Sequence, residues 1–253
     1  MGFLKRLRIR HILKHQAIPA ELWQPSLEQL SITHRLTAVE RAHLRELSTR
    51  LIVEKNFIGI GIAIDKPMQV LIAICACLPV LHLGLRQLGG WRDILVYPGL
   101  FVVDRDEKDP SGVVQHRHKI LGGETWDRGP LILAWDHFLN EIKTPQLGRN
   151  VVIHEIAHKL DLLNGSCNGM PPLHPDMSIP VWTDTLSKAY NQLHAHHHAE
   201  RIDAYAASSP AEFFAVCSEY FFCKPEILFH EFQGVYQRFH DYYRQDPFRK
   251  LAN

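Results

Sequence analysis

The sequence predicts an α+β fold, mostly helical, with a small mixed sheet beside one helix that carries paired histidines. Three observations predict it. Apolar residues recur at helical spacing through the front and back of the chain, and short apolar runs bounded by Pro and Gly are confined to the middle. His154-Glu155-Ile156-Ala157-His158 lies in a stretch whose other residues are mainly apolar, as in a buried helix.

Residues up to about 60 read as helices, with Ala38 to Leu47 a clear amphipathic example. The run from Lys5 to Lys14 is basic and amphipathic, the pattern of a first helix with a solvated face, and its charge also suits an anionic surface or partner. Val70 to Leu85 is strongly apolar. It falls short of the roughly 20 residues a membrane span needs and is interrupted by Pro79 and His82, so it reads as a buried core helix.

Ile94-Leu95-Val96-Tyr97 and Leu100-Phe101-Val102-Val103, separated by Pro98-Gly99, read as a strand pair or one kinked strand. Leu131 to Trp135 reads as another strand. The paired-histidine helix follows, with Asn164-Gly165 supplying its left-handed stop. A spacer from Gly165 to Gln192, in which Trp182 begins a helix, is placed to wall a cleft. The tail after about residue 225, with Phe229, Phe232, Tyr236, Phe239, Tyr242 and Tyr243, reads as packing helix. The expected organisation is a helical N-terminal region, 1–65, packed on a core of 66–253 as one compact unit.

The histidine helix carries the chemistry. Residues i and i+4 share a helical face, so His154 and His158 can offer ring nitrogens to one tetrahedral Zn²⁺. Glu155 falls beside them, where its carboxylate can take a proton from a water whose pKa the metal lowers to about 7. The same spacing also arises by chance, the more so in a chain with 17 His.

A catalytic zinc takes three protein ligands and leaves one position open. Two carboxylates compete to be the third. Glu212 sits in the first turn of an apolar helix, after Ser209 at the N-cap and Pro210 at the first position, which is equally the pattern of a capping box. Glu219 lies about two turns further on nearly the same face. On the residues alone both remain open. Asp161, one turn beyond His158, is a candidate to orient an imidazole through its second ring nitrogen, or else an exposed helix-end carboxylate.

The stretch from Tyr205 through Glu212 to Phe214, placed after an H-E-x-x-H helix, resembles the catalytic half of the anthrax lethal factor protease. Over most of its length the chain resembles more closely the Mlc titration factor A family of bacterial proteins. The carrying residues are His154-Glu155-x-Ala157-His158-Lys159-Leu160-Asp161 with Asn164-Gly165, then Ile202 to Ala207, Pro210-Ala211-Glu212 and Ser218 to Phe222.

The resemblance implies a zincin-like metallopeptidase whose catalytic domain is 66–253, with one Zn²⁺ per chain held by His154, His158 and Glu212. It implies that Glu155 is the general base and that Tyr205 hydrogen-bonds the oxyanion; by residue type alone Tyr205 would read as a packing residue. It implies aminopeptidase-like hydrolysis of a peptide substrate, coupled to binding of a glucose-responsive transcriptional repressor. The alternative is a non-catalytic regulatory protein that sequesters a transcription factor. In zinc peptidases of this kind an edge strand before the metal helix pairs with extended substrate. Pro130 to Trp135 is the candidate, with an ordinary core strand the equal alternative.

Composition bounds the rest. At 253 residues and 46% hydrophobic content the chain is an ordinary globular protein, and a net charge of +1 gives no reason to expect direct nucleic-acid binding. Five cysteines without zinc-ribbon spacing predict reduced thiols. With no secretory pattern at the N-terminus and no membrane span, a cytoplasmic location is expected. The cluster His194, His196, His197 and His198, and likewise His116, His118 and His174, read as exposed histidines rather than ligands, because they lack a carboxylate frame.

Overall fold

Two of the front helices start at a capping side chain, Thr37 and Asp65. The computed structural model describes residues 3–108, 114–121, 123–125, 129–195 and 201–249, with the backbone alone at 3, 5, 101–108, 114–121 and 123–125. Helices α1 (Phe3–His15), α2 (Ala20–Gln29) and α3 (Ala38–Glu54) open the fold. Thr37 closes a full capping box on α3. Its hydroxyl accepts the Glu40 N–H at 3.2 Å, while the Glu40 carboxylate accepts the Thr37 N–H at 2.9 Å. Strand β1 (Asn56–Gly59) follows, then α4 (Lys66–Cys77), capped by Asp65. The apolar run from Val70 is the buried core helix it reads as, but the helix stops at Cys77. Pro79 cannot extend it, and the chain turns through Gly84 at φ 88°.

The middle of the chain supplies β2 (Asp93–Tyr97), β3 (Phe101–Lys108), β4 (Val114–Leu121), β5 (Gly123–Thr125) and β6 (Leu131–Ala134). The main sheet has the order β1-β2-β6-β5. Its first two pairings are parallel and the last antiparallel, so it is a small mixed sheet. One sequence reading is corrected here, and one open alternative is decided in favour of a core strand. The segments on either side of Pro98-Gly99 neither pair nor continue one strand: β2 stays in the main sheet, and β3 leaves to form a separate antiparallel ribbon with β4. A proline without a donor and a flexible glycine end the ladder at that point. Nor is the strand before the histidine helix an edge. β6 lies between β2 and β5 with all four residues buried, and it is coverage on both faces that makes it a continuous apolar run.

Helices α5 (Trp135–Lys143), α6 (Val151–Asp161), α7 (Ile179–Ala195), α8 (Pro210–Cys223), α9 (Pro225–Glu231) and α10 (Gln233–Tyr243) complete the chain. The result is the mostly helical α+β fold the sequence predicts. Helix α6 packs along α8, with α4 and β5 at its sides. Behind α8 stands an aromatic wall. Trp182 of α7 stacks on Phe239 of α10 at 5.8 Å, Phe214 meets Phe239 edge-on at 5.3 Å, and Phe221 stacks on Tyr243 at 5.5 Å. One hydrophobic cluster runs from Ile18 to Tyr243 and includes residues of α3, α4, β2, β6, α6 and α8. Among the described residues no helix is long and apolar enough to cross a membrane.

Candidate metal centre

Helix α6 begins at Asn150, whose side-chain oxygen accepts the Ile153 N–H at 3.0 Å. It ends in a 3₁₀ turn, Leu162–Asn164, followed by Gly165 at φ 90°, the left-handed stop its sequence signals. Every residue of α6 except His154 is buried. Helix α8 starts as its sequence reads: the Ser209 hydroxyl accepts the Glu212 N–H at 3.2 Å and Pro210 takes the first turn. The Glu212 carboxylate, meanwhile, points at the imidazoles of α6.

His154 Nε2 stands 3.0 Å from Glu212 Oε2, His158 Nε2 stands 3.3 Å from the same oxygen, and the two ring nitrogens are 3.1 Å apart. Donor atoms about 2.0–2.2 Å from a tetrahedral zinc are separated by roughly 3.3–3.6 Å. The three atoms therefore form one face of such a tetrahedron to within a few tenths of an ångström, and nitrogen and carboxylate donors are the set zinc accepts. Among the described residues this is the group that fits a metal ion.

The electrostatics agree. Burial disfavours the charged form of Glu212, but the imidazoles of His154 and His158 at 3.0 and 3.3 Å outweigh it and hold the carboxyl below its ordinary range. Burial likewise opposes protonation of His154, yet Glu212 and Glu219 prevail and raise its pKa. The pocket thus attracts positive charge. Glu155 is buried on α6 beside the pair, and its charge bears on His154, Tyr205 and Cys167.

Each imidazole has a second nitrogen, and the two are backed differently. His154 Nδ1 lies 2.8 Å from Glu219 Oε1, while Glu219 Oε2 accepts the Asn150 N–H at 2.6 Å. Glu219 is buried behind His154 and is not one of the three converging donors. Glu141 Oε2 accepts the next amide, Val151 N–H, at 2.7 Å, so two buried carboxylates meet the N-terminus of α6. His158 Nδ1 faces Cys167 Sγ at 3.5 Å. Asp161 does not orient an imidazole: Oδ2 accepts the Gly169 N–H at 2.7 Å, and Cys167 from that loop occupies the position beside His158. Gly169, at φ 79°, lets the loop press on α8, since a Cβ there would meet Pro210 O at 2.5 Å.

Tyr205 sits on a 3₁₀ turn, Ala204–Ala207, held by Asp203, whose Oδ1 accepts the Tyr205 N–H at 3.0 Å. Asp203 in turn pairs with Arg149 and gives its N–H to the Tyr220 hydroxyl. The Tyr205 ring is 6.2 Å from that of His154, the Glu212 charge bears on its hydroxyl, and 48% of the residue is exposed, as at a cleft wall. Burial, then the Glu212 charge, raise its pKa, which keeps the hydroxyl a donor. His174 Nε2 lies 2.8 Å from Tyr242 O, away from the site. The side chains of His116 and His118, and residues His196, His197 and His198, lie outside the described residues. Sequence reasoning missed Asn150, Glu141 and Cys167. Only Asn150 carried a local signal, an N-cap residue directly before the apolar run.

Two histidines one helical turn apart, a buried glutamate between them and a glutamate from a crossing helix define the class as a metallopeptidase. The family model of the glucose-regulated metallo-peptidase M90 matches residues 4–244, and the chain belongs to that family. It is 38% identical over 236 residues to the Mlc titration factor A of Salmonella arizonae, covering 91% of this chain and 93% of the relative. The proteins of the same name from Salmonella agona and Salmonella typhimurium are 38% and 37% identical over 235 residues, covering 90% of this chain and 88% of each relative.

Proposed function

We propose that the chain is a zinc-dependent, aminopeptidase-like hydrolase with one Zn²⁺ held by His154, His158 and Glu212. The single observation that carries this is the triangle of donor atoms at 3.0, 3.1 and 3.3 Å. When bound, zinc would acidify water and polarise a peptide carbonyl. Glu155 takes the proton of the attacking water and returns it to the leaving amine. Tyr205 donates its hydroxyl hydrogen bond to the oxygen on which negative charge develops. Strand β5 is the outer strand beside β6 and packs on α6, which supports it as the edge that pairs with an extended peptide. The free thiols of all five cysteines support a reducing, cytoplasmic setting.

The name shared by the relatives supports a second role, the binding of the repressor Mlc or its counterpart. Both roles are separated by one experiment: zinc content and peptide hydrolysis of the protein beside Glu155→Gln. The expected result is stoichiometric zinc in both, with turnover about 10²–10⁴-fold lower in the variant, the range for loss of a general base. Zinc without turnover in either form would move the function to repressor binding, and absence of zinc would undo the ligand assignment.

A further inference from the structure

Helix α1 takes no part in the metal centre, yet it is the most unevenly charged element of the chain. Five of the 28 Lys and Arg and none of the 27 Asp and Glu lie in Phe3–His15. The protein is net +1 overall and net negative without that helix. Among the described residues none of Arg6, Arg8, Arg10 and Lys14 enters an ion pair.

The apolar residues of α1 occupy two faces. Ile12 is buried and Ile9 and Leu13 are half-buried on the side that packs against α3. At about 100° per residue, Leu4 and Leu7 fall nearly opposite. They are 80% and 45% exposed, and Arg8, Arg10, His11 and Lys14 stand exposed around them. An inward stripe is explained by α3. The outward pair, ringed by Arg8, Arg10 and Lys14 with no ion-pair partner among the described residues, is not.

We propose that α1 is an interfacial helix that lays this protein on an anionic lipid surface, with Leu4 and Leu7 inserted shallowly and the surrounding Arg and Lys over the headgroups. The chemistry is that of amphipathic helices lying in the membrane plane. An acidic protein groove is the weaker fit. A helix seated in a groove presents apolar anchors at i, i+3, i+4 and i+7. Counted from Leu4, Leu7 fills the second place, but Arg8 and His11 fill the third and fourth. Two apolar side chains among cations suit a broad, flat, negatively charged surface.

The test is co-sedimentation of the full chain with vesicles of phosphatidylcholine alone or with about one third phosphatidylglycerol, against Arg6→Glu/Arg8→Glu/Arg10→Glu and Leu4→Gln/Leu7→Gln. All five positions are exposed, and circular dichroism serves as the check that each variant is folded. The expected result is binding to the anionic vesicles alone, weakened by salt, about a hundredfold weaker in the charge variant and roughly tenfold weaker in the leucine variant. Equal binding to both vesicle types, no binding at low salt, or full binding by the charge variant would overturn the proposal. Retention on soluble polyglutamate that is indifferent to the leucine substitutions would overturn it in favour of an acidic protein.

Discussion

The two sides of the candidate metal centre use the same imidazole and support it in unlike ways. On the His154 side the outer nitrogen meets Glu219, a buried carboxylate on α8 that is also fixed by the Asn150 amide. On the His158 side it meets the thiol of Cys167, from the loop after α6. A carboxylate brace fixes ring orientation and raises ligand basicity. A neutral thiol does this weakly, and burial, followed by the Asp161 charge, pushes the Cys167 pKa up to about 12, so it stays neutral. The difference teaches that one histidine is positioned by the core and the other by a loop, which itself depends on its contact with α8.

The largest effect is expected at Glu219. Glu219→Ala leaves His154 Nδ1 and the buried Asn150 N–H without their acceptor. Zinc affinity, read by competition with a chelator, should fall about 10–100-fold, and stability by about 1–3 kcal/mol in denaturant titrations. Unchanged affinity would remove the asymmetry between the two sides.

The next effect tests how the loop is held. Gly169→Ala forces a Cβ against Pro210 O at a positive φ. It should cost about 1–3 kcal/mol, seen as a drop in Tm of several degrees for a chain of this size, with a smaller loss of zinc affinity than Glu219→Ala. A fully stable Gly169→Ala protein would show that the loop does not press on α8 in solution. The smallest effect is expected at Cys167. Cys167→Ser should change zinc affinity by less than about threefold, because a hydroxyl can still face His158 Nδ1. A loss as large as that of Glu219→Ala would mean that the loop positions its histidine as firmly as the core does.

How much of this could be read in the sequence follows from how local each feature is. Helix α6 was fully legible, since its motif, its apolar frame and its Asn164-Gly165 stop lie within fifteen residues of one another. The start of α8 was legible for the same reason. Whether Glu212 or Glu219 faces the histidines was not, on the residues alone; the family resemblance pointed to Glu212. Both lie on the right face of α8, and the choice depends on how far along α6 that helix lands, a long-range packing outcome. Strand order was hidden in the same way. β6 announces itself by its apolar run, whereas β5, the strand that ends up outside it, is the three residues Gly123-Glu124-Thr125 with no pattern to read. Asp161 was on the correct side of His158, but a thiol from a later loop came between them.

Helix α8 carries both Glu212 and Glu219, so the proposed metal ligand and the brace of His154 belong to one rigid body backed by the aromatic wall. A residue inserted between them would rotate one against the other by about 100°, and sever one contact whichever register the helix kept. For evolution of this chain the segment from Glu212 to Glu219 is free to change its letters within packing limits, but not its length. In the loop between Gly165 and Ser178, which contributes no donor atom to the triangle, insertions and deletions can be absorbed beyond Gly169, past the contacts of Cys167 with His158 and of Gly169 with α8.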